Sequence, residues 1–146
     1  MKLVVQRVKR TRLEVEGKLI SEIEKGLAVY VGVGVGDTEA DADRLAEKLV
    51  KLRIFEDENG KMNLSVKDIG GEILAISQFT LLADVSHGNR PGFSDAERPE
   101  RANQLYEYFV KKATEQGVTV KKGVFGADMQ ILQHNDGPVT IIYDCV

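Results

Sequence analysis

Residues 26–35, GLAVYVGVGV, form an almost entirely apolar run, and residues 71–84, GEILAISQFTLLAD, form a second one. Strands that are covered on both faces of a sheet have this continuous apolar composition, whereas strands with one solvated face alternate apolar and polar residues. Both runs are therefore predicted to be buried strands. The rest of the chain is expected to pack around them.

Two further segments have the pattern of amphipathic helices. In residues 37–55, leucines recur at helical spacing, acidic residues occupy the first turn, and Asp37 or Thr38 is placed to cap the N-terminus. Residues 98–116 carry a similar apolar stripe, and Gly117 is expected to end that helix.

The remaining segments are predicted to be strands and turns. Residues 1–25 alternate in the manner of two or three strands with a hairpin turn at residues 16–18, residues 56–71 are a turn-rich connection, and residues 118–146 should form three strands broken by glycines. Most connections are too short for crossovers, so the strands should be mostly antiparallel. The sequence thus predicts one compact α/β domain over residues 1–146, with two main helices and about eight strands.

Composition argues against several classes of protein. A formal net charge of −3 provides no overall attraction to nucleic acid, which disfavours a non-specific DNA-binding protein. No apolar run approaches the roughly 20 residues of a membrane span, and the N-terminus lacks the pattern of a signal peptide. The single cysteine, Cys145, cannot form an internal disulfide and is expected to pack within a strand. Such cysteine usage suits a reducing compartment, so a cytoplasmic protein is expected.

Several local basic clusters could still contact phosphates. They are Arg7, Lys9, Arg10 and Arg12 near the start, then Lys111 with Lys112, and Lys121 with Lys122. The simpler interpretation of each cluster is a solvated face.

Neither a metal nor a nucleotide cofactor is expected. The two histidines and one cysteine lack the spacing of zinc ligands. Gly32, Gly34 and Gly36 follow a predicted strand and precede a helix, but Asp37 stands where a dinucleotide-binding loop requires its last glycine.

Ser77, Gln78 and Thr80 place three polar side chains within the second apolar run. Buried polar groups cost free energy unless they are hydrogen-bonded, so the cluster must be satisfied or functional. It could be the end of an active-site strand, whose hydroxyl, amide and backbone N–H groups meet a developing oxyanion, or a bulge that caps neighbouring loops. A serine or threonine nucleophile would lack a clear base, because His87 and His134 do not have the spacing of a known triad.

Residues 134–140, HNDGPVT, place four residues that disfavour regular structure before a β-forming run. A hairpin turn is the simpler interpretation. Alternatively, the bond between Gly137 and Pro138 could be cis, since X-Pro bonds have an appreciable cis population, and two carbonyl oxygens would then face the same way as acceptors for an ammonium group. Residues 126–130 also allow a plain turn into a strand, with Met129 filling the core.

Together these motifs resemble those of the D-aminoacyl-tRNA deacylases, also called D-tyrosyl-tRNA deacylases, over almost the whole chain. The matching segments are VVQRV, LRIFEDENGKMNLSV, SQFTL, RPGFSDA, FGADMQ and NDGPVT. SQFTL and NDGPVT define the family, and both occur in the expected order and separation. Gly92 in RPGFSDA is a departure, because relatives usually have serine there, and it bears on the contacts of that loop.

The resemblance implies a compact, barrel-like α/β domain that forms a homodimer with an active site near the interface. It further implies hydrolysis of the ester bond of D-aminoacyl-tRNA without a cofactor. The residues implied to line the pocket or lie near it are Ser77, Gln78, Phe79, Thr80, Phe125 and Met129.

The same resemblance assigns a role to the Gly137-Pro138 dipeptide. It would be cis, would be inserted from the partner subunit, and would hold the substrate amino group through its carbonyl oxygens, while Arg7 would lock its orientation. An L-residue would drive its side chain into those carbonyls, whereas a D-residue would point into open space. Glycine has no side chain to reject, so some activity on glycyl-tRNA is expected.

An aminoacyl ester is already reactive, so its hydrolysis needs only a positioned water and an oxyanion hole. We expect the backbone N–H groups of Phe79 and Thr80 to hold the oxyanion, and the 2′-hydroxyl of the terminal adenosine to help activate water. Thr80 as a covalent nucleophile is the rival mechanism.

Two other functions remain open from the residues themselves. A non-catalytic dimeric RNA-binding module would have no need for polar groups inside a buried strand, which argues against it. A serine or threonine esterase acting on small molecules would be favoured if a fluorophosphonate labelled Ser77 or Thr80.

Overall fold

The computed structural model describes residues 1–144, so the predicted packing of Cys145 lies outside the described part of the chain. Within that part, eight strands, two α-helices and one 3-10 helix follow one another. They are β1 (Lys2–Val15), β2 (Lys18–Ile23), β3 (Gly26–Gly32), α1 (Glu39–Lys51), β4 (Phe55–Glu56), β5 (Met62–Leu64), β6 (Glu72–Ser77), the 3-10 helix (Phe79–Leu82), α2 (Pro99–Glu115), β7 (Thr119–Lys122) and β8 (Gln130–Asp144).

Strand β1 organises the sheet, because it pairs along both of its edges. One edge pairs with β3 from Lys2 to Val8 and with β2 from Thr11 to Val15, while the other edge pairs with β8. All three ladders are antiparallel. The predicted hairpin between β1 and β2 is confirmed by the pairing of Val15 with Lys18.

The sheet continues from β3 to β6 and on to β7 through two parallel ladders. Helix α1 lies between β3 and β6 in the chain and α2 between β6 and β7, which provides the long connections that parallel pairing requires. β7 then approaches β2, where Lys121 Nζ donates to the Glu22 carbonyl oxygen at 2.8 Å. The result is the barrel-like, mostly antiparallel α/β domain that was predicted.

Both helices form where their apolar stripes predicted them, and they pack over the core of the sheet. α1 begins after the N-cap Thr38, whose side chain forms a capping box with Asp41. It ends at Lys51, earlier than predicted, because Leu52 takes an extended backbone and Phe55 already belongs to β4. No helix within residues 1–144 is long and apolar enough to cross a membrane.

Two predicted boundaries are wrong. Residues 71–84 do not form one strand, since β6 ends at Ser77 and a 3-10 helix follows. Residues 127–144 are not two separate strands, because β8 runs continuously from Gln130 to Asp144 and residues 136–139 bulge out of its ladder with β1. The pairing of the flanking residues with β1 holds both halves of β8 in one strand despite the bulge.

Candidate active site

A cavity of about 630 Å³ opens at the carboxyl ends of the parallel strands β3 and β6. This edge of a parallel sheet is where loops gather to build binding sites. Of the residues predicted to form the site, the cavity brings together Ser77, Gln78, Phe79, Phe125 and Met129. Residues distant in the sequence thus meet at one strand end.

The strand end also presents backbone donors. Ser77 is the last residue of β6, and the Gln78 N–H still donates to the Val31 carbonyl oxygen at 2.8 Å. The first N–H groups of a helix have no acceptor within it. Those of Phe79 and Thr80 donate to no acceptor among residues 1–144, so two adjacent donors remain next to the cavity.

The sequence suggested that the polar side chains of Ser77, Gln78 and Thr80 are buried inside a strand. The structure does not show this. Phe79 is 55% exposed, Thr80 is exposed, and Gln78 is half-buried. Because the strand ends before them, the cost of burying polar groups does not explain their presence. The Gln78 amide donates to Thr80 Oγ1, and Thr80 is not among the residues that line the cavity.

A second wall of the cavity comes from the loop before α2, which the sequence analysis treated only as a loop. The Val35 N–H donates to the Asp95 carbonyl oxygen at 2.9 Å, which ties this loop to the end of β3. Phe93 packs edge-on against Phe79 with ring centroids 5.0 Å apart. Glu97 and Arg98 add an acid and a cation to the lining. The RPGFSDA motif was the signal in the sequence that could have identified this wall.

Gly92 lies in the same loop, at the position where relatives usually have serine. Its N–H and carbonyl groups both pair with Asp84. A Cβ atom added at Gly92 would lie 3.9 Å from the Asp84 carbonyl oxygen, an ordinary contact. The position therefore has room for the Cβ of a serine.

Phe125 is held in the cavity wall by the core. Its ring packs against Tyr106 with centroids 6.2 Å apart. The Tyr106 hydroxyl donates to the Ala75 carbonyl oxygen at 2.7 Å, and burial raises the pKa of Tyr106, so the hydroxyl stays protonated. The backbone of β6 thus fixes the aromatic wall opposite Ser77.

Neither histidine lines the cavity. His87 Nδ1 lies 2.8 Å from Ser86 Oγ on an exposed loop, and His134 pairs with Arg10 across the ladder between β1 and β8. A nucleophile at Ser77 or Thr80 therefore has no histidine base.

The Gly137-Pro138 dipeptide is cis and lies in the bulge of β8, away from the cavity of its own chain. Arg7 is 6% exposed and lies directly behind it. Its Nη1 donates to the Ile54 carbonyl oxygen at 2.7 Å, and its Nε donates to the Asp136 carbonyl oxygen at 3.2 Å. The structure therefore divides the predicted site into a cavity and a separate loop.

The predicted basic clusters are largely engaged within the protein. Arg7 is buried and cannot reach a phosphate. Most of the others form ion pairs, namely Arg10 with Glu22, Arg12 with Glu14 and Glu22, Lys112 with Glu115, Lys121 with Glu72, and Lys122 with Glu107. Arg98, a cation in the cavity wall itself, was not among the basic clusters predicted from the sequence.

The predicted glycine-rich turn after β3 is occupied by a carboxylate. Asp37 Oδ2 accepts from the Gly34 N–H at 2.6 Å and lies 2.7 Å from the amino group of Met1. The amide that a phosphate would need is thus already bound. In the described residues, no group of three or more His, Cys, Asp and Glu side chains is arranged to hold a metal ion.

Comparison with known proteins gives a consistent result. The profile of the family described as D-Tyr-tRNA(Tyr) deacylase matches residues 4–144. Proteins named D-aminoacyl-tRNA deacylase from Koribacter versatilis and Aquifex aeolicus are 56% and 54% identical to this chain, each over 99% of it and 97% of the relative.

Two solved structures share the fold. One, named c-Myc DNA Unwinding Element Binding Protein, has a TM-score of 0.93 and 42% identity, and covers 99% of this chain and 98% of its own. The other, described as a probable eukaryotic D-amino acid tRNA deacylase, has a TM-score of 0.82 and 17% identity over 97% of both chains. The extent of the sequence matches establishes that this chain belongs to the D-Tyr-tRNA(Tyr) deacylase family.

Proposed function

We propose that the protein hydrolyses the ester bond of D-aminoacyl-tRNA and releases the free D-amino acid and the tRNA. The observation that carries the proposal is the cavity in which Ser77, Gln78 and Phe79 meet Phe125 and Met129, in a chain of this family. Many relatives over 50% identical are named D-aminoacyl-tRNA deacylase.

The chemistry needs little beyond positioning. When water attacks the ester carbonyl, negative charge develops on its oxygen, and the free N–H groups of Phe79 and Thr80 stabilise that charge. The 2′-hydroxyl of the terminal adenosine helps activate the water. The lack of a histidine in the cavity lining is consistent with this tRNA-assisted route and disfavours a Ser–His nucleophile.

The loop is proposed to act in a homodimer. Gly137 and Pro138 are exposed and do not line the cavity of their own chain. β8 forms an edge of the sheet and exposes Leu132 (59%) and Ile142 (67%), which gives a second copy an apolar surface to cover. In the dimer, the loop of one protomer enters the cavity of its partner.

The loop selects the chirality of the substrate by blocking one of the two directions in which the substrate side chain can point. Its carbonyl oxygens hold the substrate ammonium group, so an L side chain would collide with them while a D side chain points away. Rejection by collision needs no grip on the D side chain, and many D-aminoacyl groups are therefore accepted. Glycyl-tRNA is also hydrolysed, because glycine offers nothing to reject.

The tRNA is held through its phosphates in the cytoplasm. Arg98 brings a cation to the cavity, where the 3′ end of the tRNA must enter. One of the two solved structures is named as a DNA-binding protein. For this chain, a net charge of −3 favours local contact with an RNA terminus over binding along a DNA duplex.

Incubation with D-tyrosyl-, L-tyrosyl- and glycyl-tRNA, followed by measurement of ester loss, tests the proposal. Rapid loss from the D-tyrosyl and glycyl esters and slow loss from the L-tyrosyl ester are expected. Equal rates on the two tyrosyl esters would sink the chiral assignment. Binding without hydrolysis would favour an RNA-binding module, and fluorophosphonate labelling of Ser77 or Thr80 would favour an esterase.

A further inference from the structure

The bulge of residues 136–139 in β8 lies opposite a single residue of β1, because Gln6 pairs with Thr140 and Val8 pairs with Asn135. Arg7, between them, holds the bulge from the side of the core. Side chains alternate along a strand, so Gln6 points to the opposite face of β1.

Gln6 links the two ends of the bulge through its side-chain amide. Its Nε2 donates to Thr140 Oγ1 at 3.3 Å, on the C-terminal side. Its Oε1 accepts from Gln133 Nε2 at 2.6 Å. The same Gln133 nitrogen also donates to Asn135 Oδ1, on the N-terminal side. The residues on either side of the bulge are therefore joined through two glutamines.

This pair of glutamines is anchored to the sheet. The Tyr30 hydroxyl on β3 donates to Gln133 Oε1 at 2.9 Å. Burial raises the pKa of Tyr30, so its hydroxyl remains a donor at neutral pH. With this bond, the Gln133 amide uses both of its N–H donors and its oxygen. Gln6 contributes one N–H donor and its oxygen to the same network, so the two glutamines hold the groups that they join in one arrangement.

We propose that Gln6 and Gln133 are positioning residues that hold the Gly137-Pro138 loop from the face opposite Arg7 and so set the discrimination between D- and L-aminoacyl esters. The inference rests on the proposed function, since it assumes that this loop excludes L-residues. Arg7 fixes the loop backbone at one point, and the glutamine pair fixes the separation of its two ends. With one anchor alone, the loop could pivot and admit an L side chain.

The test uses Gln6→Leu and Gln133→Leu, which keep most of the side-chain volume and remove the hydrogen bonds. Gln104→Leu is the matched control, because Gln104 is exposed on α2, away from the loop. Amide hydrogen exchange around residues 136–140 is expected to be about tenfold faster in the two loop variants than in wild type or the control. This measurement requires no tRNA.

The second readout is the ratio of the deacylation rates on D- and L-tyrosyl-tRNA. It should fall about tenfold in both loop variants, mainly because the L ester is accepted, while the rate on glycyl-tRNA changes by less than about threefold. A general loss of structure would instead lower all three rates together. Thr140→Val removes one acceptor at constant shape, and it should change both readouts in the same direction by less.

Unchanged exchange in Gln6→Leu and Gln133→Leu would overturn the inference. Faster exchange with an unchanged D/L ratio would overturn the role in discrimination. If Gln6→Leu does not fold, Thr140→Val decides by the same two measurements. Failure of the wild-type protein to hydrolyse D-tyrosyl-tRNA would refute the proposed function, whereas the exchange measurement would still decide whether the glutamines hold the loop.

Discussion

Arg7 Nε donates to the carbonyl oxygen of Asp136 at 3.2 Å, immediately before the Gly137-Pro138 dipeptide. The same guanidinium lies 3.4 Å from the Asp136 carboxylate and donates to the Ile54 carbonyl oxygen at 2.7 Å. One buried side chain thus ties the start of the loop to the segment between α1 and β4. The loop takes its position from the core of the domain.

Replacement of Arg7 with lysine should show whether the loop is positioned by the positive charge of Arg7 or by the geometry of its hydrogen bonds. Lysine keeps the charge, but it has a single ammonium group on a flexible side chain. It cannot donate in a fixed geometry to the Asp136 and Ile54 carbonyl oxygens at the same time, as the planar guanidinium does. Losing one hydrogen bond from a charged donor costs about 1.5–3 kcal/mol, so kcat/KM on D-tyrosyl-tRNA should fall roughly 10- to 100-fold. Arg10→Lys, at an exposed arginine paired with Glu22, is the control and should leave kcat/KM unchanged. Equal effects in both variants would contradict the anchoring role.

Replacement of Thr80 with alanine distinguishes the two mechanisms. Removing a covalent nucleophile lowers kcat by roughly 10⁴ or more. If the backbone N–H groups of Phe79 and Thr80 hold the oxyanion, kcat should stay within about threefold of wild type, because the backbone is retained. Single-turnover deacylation of D-tyrosyl-tRNA measures this. A loss of several orders of magnitude in a folded Thr80→Ala protein would establish the nucleophile and refute our assignment.

Replacement of Gly137 with alanine should impair the loop directly. Gly137 has φ +130°, and a Cβ there would lie 2.9 Å from both Cγ2 and the backbone nitrogen of Val139. Relief of this contact must move the loop, at a cost of about 1–3 kcal/mol, and kcat/KM should fall about 10- to 100-fold. Gly36 also has a positive φ, at +88°, but a Cβ there would meet nothing within 4 Å, so Gly36→Ala is the control. That control should lose some stability and keep its activity.

Arg98→Ala should weaken tRNA binding with little effect on the chemical step. Arg98 lines the cavity, whereas Arg101 is exposed on α2 and does not line it. The KM for D-tyrosyl-tRNA should rise severalfold, and the dependence of log(1/KM) on log salt should lose about one unit of slope, as expected for one lost phosphate contact. Arg101→Ala should retain wild-type values of both. A fall in kcat at unchanged KM would assign Arg98 a different role.

Acid stability should depend on Asp68. The Ser65 N–H donates to the Asp68 carboxylate at 2.9 Å, and this bond, with that to the Ser65 side chain, lowers the pKa of Asp68 below its ordinary 3.8. A carboxyl whose pKa is lowered by folding stabilises the protein above its ordinary pKa and loses that contribution as the pH falls through the folded value. Asp68→Asn should therefore reduce the free energy of unfolding at pH 7 more than at pH about 2. Urea denaturation at both values measures this, and a pH-independent difference would contradict it.

Much of the fold was predictable because local sequence patterns specify most of its strands and helices. The apolar runs placed β3 and the start of β6, helical spacing placed α1 and α2, and a capping residue marked the start of α1. The strands and helices depend on neighbouring residues, which the sequence records directly. Ser77 was noted as a polar residue in an apolar run, whereas only the resemblance to the family placed Phe125 and Met129 near the pocket. All three line the cavity.

Other features could not be predicted, because they depend on pairing between distant segments. The strand predicted over residues 71–84 stops at Ser77, where β3 and β6 end together. Charge patterning alone grouped Arg7 with the surface cations, and only the resemblance to the family assigned it to the Gly137-Pro138 dipeptide. The fold buries it between Ile54 and Asp136. The RPGFSDA motif marked the loop that contains Phe93, but its place in the cavity wall depends on backbone bonds between this loop and the residues after β3.

Local residue patterns therefore indicate both helices and most of the strands, and the motifs indicate the family and the candidate site residues. The register of β8 against β1 depends on tertiary pairing: Gln6 pairs with Thr140 and Val8 with Asn135, so residues 136–139 bulge opposite Arg7. Side-chain periodicity specifies which face of a strand is buried, but it does not specify the partner or the register. Those are set when segments more than a hundred residues apart compete to satisfy the same backbone hydrogen bonds in one sheet.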